Sequence, residues 1–153
     1  MPARPDAPRF YLDEGLPYAV AEALELVGHP ITSARAESRL GELDERLIPW
    51  LADQGYVWIT KDDAARTQHR SILEQHRLSV VWIRGLDRRK NRIDAKELHL
   101  MLTVKLDQIA DAVRQARGPR WFLLYLDSGN RPTLQPLTVG QPIAGGGRAA
   151  RRQ

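Results

Sequence analysis

Residues 56–63 read Tyr56-Val57-Trp58-Ile59-Thr60-Lys61-Asp62-Asp63. An aromatic and β-branched run of this kind suits a buried strand, and closing it on carboxylates delivers polar groups to the rim of a sheet. Near the N-terminus, Arg9-Phe10-Tyr11-Leu12 runs into Asp13-Glu14 in the same way. In open α/β sheets ligands bind at the carboxyl ends of the strands, so carboxylates from separate strands can meet there. Asp44-Glu45 opens a helical pattern and is a third contributor, and Asp127, after a late apolar run, is a fourth. Converging carboxylates point to magnesium or manganese, hard cations that take oxygen ligands.

Outward from these runs, elements alternate. The strand at 9–12 leads to Leu16-Pro17 and a helix over 17–27, where Val20, Leu24 and Val27 recur at helical spacing and Gly28 is the stop. Ile31-Thr32 suggests a short strand, and 33–42 carries no assignable pattern. A helix over 44–54 follows from Leu47, Ile48 and Leu51, with Pro49 required to fall in the first turn or the helix to start late. Beyond the strand at 56–60 we expect a helix over 63–76, a strand at 79–83, and a long amphipathic helix over 94–117 ended by Gly118-Pro119. A last strand covers 121–126. Strands alternating with helices argue for an α/β fold, a mainly parallel sheet covered on both faces. From Ser128 onward Gly, Pro and Arg dominate. We therefore expect one domain over 8–127 and a C-terminal extension over 128–153, a largely disordered basic tail most evident in Gly145–Gln153.

With 153 residues, 42% of them apolar and 27% charged, the chain has room for one domain with a real core. The absence of cysteine excludes disulfides, thiolate zinc sites and cysteine nucleophiles. No stretch resembles a signal peptide or a membrane span, so the expectation is a soluble, unexported protein in the cytoplasm, with no membrane partner. Three of the four net positive charges belong to Arg148, Arg151 and Arg152, so net charge says little about partners. Local clustering says more: Arg84, Arg88, Arg89, Lys90 and Arg92 form a basic run suited to holding RNA phosphates without reading sequence. A solvated loop is the alternative for that run.

Hydrolysis of a phosphodiester needs a nucleophilic water and neutralised phosphate charge, both of which divalent ions supply. Asp13 and Asp62 are the best candidate ligands, each directly following its strand, and Asp44 is the next. Each has a structural alternative. Asp44 is equally suited to be an N-cap, Asp62 or Asp63 to cap the helix over 63–76, and Asp13 to cap the helix over 17–27. Thr60 is placed to orient water or phosphate, or is simply a half-buried strand residue. His29, His69, His76 and His99 show no metal-binding spacing, and no phosphate loop or nucleophile elbow occurs.

Between residues 9 and 63 the chain resembles the PIN-like nucleases, specifically those of VapC type in bacterial type II toxin–antitoxin systems. The matching stretches are Phe10-Tyr11-Leu12-Asp13-Glu14-Gly15-Leu16-Pro17, Ala21-Glu22-Ala23-Leu24 with Gly28-His29, Leu43-Asp44-Glu45-Arg46-Leu47-Ile48, and Val57-Trp58-Ile59-Thr60-Lys61-Asp62-Asp63. The resemblance implies a three-layer α/β/α domain with an acidic pocket that binds magnesium or manganese and cleaves RNA as a metal-dependent endoribonuclease. By position, Asp13, Asp44 and Asp62 match the family's acids. The family commonly places a fourth shortly after the third; here Asp63 is adjacent, and Ala64 stands two beyond Asp62. The resemblance also implies an antitoxin that blocks the pocket and a homodimer. The competing expectation is a non-catalytic PIN-like interaction module whose acids became caps and surface charges.

Overall fold

Phe10, Tyr11 and Leu12 are all buried, as are the consecutive residues from Val57 to Thr60 and from Val80 to Ile83. Runs without an exposed alternate residue must be strands covered on both sides. The computed structural model describes residues 8–62, 64–85 and 93–139. Its strands are β1 (Arg9–Leu12), β2 (Ile31–Ser33), β3 (Tyr56–Thr60), β4 (Val80–Arg84), β5 (Trp121–Leu126) and β6 (Pro132–Leu137). They form a sheet in the order β2-β1-β3-β4-β5-β6. The first five are parallel, and β6 joins β5 antiparallel.

The helices are α1 (Tyr18–Leu26), α2 (Asp44–Asp53), α3 (Ala64–Gln68), α4 (Arg70–Gln75) and α5 (Ala95–Gln115). One core packs α1 and α5 against Phe10, Leu12, Val57, Ile59, Val81 and Phe122. The other packs α2, α3 and α4 against Tyr11, Trp58, Trp82 and Trp121. Three layers result, as the sequence pattern and its resemblance imply. The connection β1–α1–β2 steps one way across the sheet and β4–α5–β5 the other, yet α1 and α5 share a face, so the two crossovers have opposite hands. The connections through α2 and through α3 and α4 agree in hand with α1, which makes the α5 crossover the exception to a strong preference. It carries the 21-residue helix α5, which packs on β5, β6 and α1.

Local details correct several expectations. Pro49 lies inside α2 rather than in its first turn, so the Glu45 carbonyl lacks its usual helical donor; Glu45 is exposed, and water can replace it. The helix expected over 63–76 is divided at His69, whose φ of −117° and ψ of 16° leave the helical region. Gly28 does stop α1, at φ 99°, with the N–H of His29 returning to the Leu24 carbonyl. Beyond residue 127, β6 extends the sheet and Val139 packs on the core. Pro132 and Pro136 are tolerated there because β6 is an edge strand. The expected tail disorder over 145–153 lies outside the described residues.

Candidate functional site

The strand order reverses between β1 and β3: the chain leaves β1 toward β2 and leaves β3 toward β4. At such a switch point the connections diverge and open a crevice at the strand ends. Asp13 stands at the end of β1, and its N–H donates to the Ile59 carbonyl of β3 at 2.9 Å. Thr60, fully buried at the end of β3, donates its hydroxyl to Asp13 Oδ2 at 2.8 Å. The same hydroxyl accepts from the Asp62 N–H at 3.1 Å, and the Trp82 indole N–H donates to the Asp62 carbonyl at 3.1 Å. One threonine thus ties two rim acids across the switch point.

Helix α2 runs back against the strands, so its first residue, Asp44, returns to the same rim. Its N-cap is Leu43, and no side chain caps the helix. Asp44 is therefore not a cap; its Oδ2 lies 3.4 Å from His69 Nε2, a contact that becomes an ion pair when the imidazole is protonated. Asp13 is not a cap either, since α1 begins after Pro17 without a side-chain cap. Burial raises the Asp13 pKa above its ordinary 3.8, against hydrogen bonds from Thr60 and the Glu14 backbone that pull it down. Burial also raises Asp44; the charges of Asp13 and Asp62 add to the rise, while His69 opposes it. The three acids occupy one electrostatic neighbourhood.

Two buried polar atoms beside them have no hydrogen-bond partner, the Tyr11 hydroxyl and the Trp58 indole N–H. Burial raises the Tyr11 pKa first, and the Asp13 charge adds to the rise. The Trp58 N–H is turned toward the Asp13 carboxylate without closing a hydrogen bond. A buried indole N–H calls for an acceptor, and a buried phenol for a water or a polar partner. Hard carboxylate oxygens suit magnesium or manganese in kind. Among the described residues, however, no three His, Asp or Glu side chains approach closely enough to hold a metal ion.

Of the other expected site residues, Arg84 ends β4 on the same rim, half-buried. Asp63, Arg88, Arg89 and Lys90 lie outside the described residues. Asp127 is not a fourth acid of the pocket. Its Oδ1 accepts the N–H groups of Gly129 at 2.9 Å and Arg131 at 3.0 Å, organising the β5–β6 turn, and those backbone bonds lower its pKa. His69 was not foreseen, because no local spacing links it to Asp44.

The family model described as PIN like domain matches residues 8–85. The chain belongs to the PIN-like domain family. No curated protein and no solved structure matches the chain. The matched interval of this PIN-like protein contains Asp13, Asp44, Thr60, Asp62 and Arg84, and the family is of nuclease type. No helix among the described residues is long and apolar enough to cross a membrane.

Proposed function

We propose that this PIN-like protein is a magnesium- or manganese-dependent endoribonuclease of VapC type, the toxin half of a type II toxin–antitoxin pair acting in the cytoplasm. The observation that carries the reading is the Thr60 relay joining Asp13 to Asp62 at the switch point, with Asp44 inside the same electrostatic field. Asp13, Asp44 and Asp62, with Asp63 adjacent in sequence, would hold the ion in part through its waters, as magnesium commonly allows. The ion supplies an activated water and neutralises phosphate charge. Thr60 orients the Asp13 carboxylate, Trp82 anchors the backbone of Asp62, and His69 offsets the charge of Asp44. Arg84, with Arg88, Arg89 and Lys90 beyond it in sequence, would meet RNA phosphates. An antitoxin or a second copy would find apolar surface in the α1–α5 groove of about 420 Å³ lined by Ala19, Ala23, Leu100 and Thr103.

A second reading, a non-catalytic interaction module, is favoured by one observation: Asp44 already faces His69, and the described acids do not close on one point. Melting in manganese separates the two. A ligand at a hundred times its Kd stabilises the folded state by about 2.7 kcal/mol, which for a chain of this size raises Tm by about 5–10 °C. We expect that rise in the wild type and its loss in Asp13→Asn. A wild type indifferent to manganese would favour the interaction module.

A further inference from the structure

Beside Asp13 lies a small cavity of about 70 Å³, bordered on its outer side by Tyr18, Arg35 and Leu40. Tyr18 opens α1 with 41% of its surface exposed, and Leu40 is 58% exposed. The Arg35 guanidinium lies 4.4 Å from the centre of the Tyr18 ring. Glu14, next to Asp13, accepts the Gly41 N–H at 2.9 Å and so holds the loop after β2 against this opening. Tyr18 belongs to neither core, so packing does not account for an aromatic ring there.

We infer that Tyr18 and Arg35 form a stacking shelf for an unpaired nucleobase of single-stranded RNA beside the scissile phosphodiester, an inference that rests on the nuclease reading. The cavity itself is too small for a base, but the aromatic and guanidinium planes at its mouth are the two side-chain surfaces on which splayed bases stack. The sheet order fixes a path. From β2 to β4 the rim presents Arg35, then Asp13, then Asp62, then Arg84. A strand whose base rests on the shelf therefore crosses the acids before its backbone reaches Arg84. Bases inside a duplex are already stacked on both faces and cannot use the shelf.

The test uses the full chain in chelator, so that no metal-dependent cleavage occurs, with single-stranded oligoribonucleotides carrying 2-aminopurine at successive positions. Stacking quenches this fluorophore. We expect saturable quenching by the wild type, about tenfold weaker binding and lost quenching in Tyr18→Leu, and recovery of both in Tyr18→Trp. An oligonucleotide abasic at the quenched position should bind wild type and Tyr18→Leu alike. Arg35→Gln should weaken binding and reduce the quenching at the same position. No binding by the wild type, quenching retained in Tyr18→Leu, or tight binding of the abasic oligonucleotide by the wild type alone would overturn the shelf. Cleavage in magnesium keeps the two ideas apart. Quenching without cleavage removes the nuclease and keeps the shelf; cleavage with an unchanged KM in Tyr18→Leu does the reverse.

Discussion

The α1–α5 face of the sheet is built from Phe10, Leu12, Val57, Ile59, Val81, Ile83, Phe122 and Leu124, none with a polar side-chain atom. The opposite face presents Tyr11, Trp58, Trp82 and Trp121, each with one. Trp82 and Trp121 pack edge to face, centroids 5.4 Å apart, and both place their N–H groups on backbone carbonyls. Tyr11 and Trp58, the pair beneath Asp13, close no hydrogen bond with theirs. One face thus follows the ordinary rule of apolar burial, while the other carries polar atoms up to the rim at a cost in stability. Departures from local consistency concentrate where function is expected, which is why the two faces should respond differently to substitution.

The largest stability effect belongs on the apolar face. Leu102, fully buried in α5, truncated to Ala should cost about 2–5 kcal/mol in urea unfolding and leave RNA cleavage per folded molecule unchanged. A loss of cleavage at full folding would break the division between faces. On the other face, Thr60→Val keeps the volume but removes the donor to Asp13 and the acceptor for the Asp62 N–H. It should cost about 1–3 kcal/mol and lower cleavage at least tenfold; unaltered activity would show that the relay is structural only.

A smaller effect sharpens the electrostatic side. Carboxyls raised above their ordinary pKa bind protons more readily folded than unfolded, so their contribution falls as pH rises from 3.8 through the folded-state value. Asp13 and Asp44 therefore oppose folding at neutral pH without metal. The pH profile of the urea midpoint, measured in chelator, should be flatter through that window in Asp13→Asn than in the wild type. Smallest of all, Tyr11→Phe removes an orphan hydroxyl and should change stability by less than about 1 kcal/mol, toward stabilisation. A clear destabilisation would reveal a partner for that hydroxyl.

Much of this contrast was legible in the sequence. The continuous runs at 9–12, 56–60, 79–83 and 121–126 became β1, β3, β4 and β5, because burial on both faces leaves a strong signal. Asp13 and Asp62 followed from position, since a residue after a parallel strand must reach the rim. The edge strand β6 was hidden by Pro132 and Pro136, residues that argue against a strand anywhere but an edge; the turn residues Ser128-Gly129-Asn130 were the overlooked sign of a hairpin. The Asp44–His69 contact and the Tyr18–Arg35 stack join residues distant in sequence, and only the packing of helices and loops on the sheet brings them together. Pro49 misled for a related reason: packing of Leu47, Ile48 and Leu51 outweighs one missing hydrogen bond.

The most direct measurement is cleavage of a labelled, partly single-stranded RNA by the purified chain in magnesium, in manganese and in chelator, with Asp13→Asn beside the wild type. Metal-dependent products from the wild type, reduced at least a hundredfold in the variant, are what the acidic rim predicts. Intact RNA under every condition from folded protein freed of any partner would contradict it.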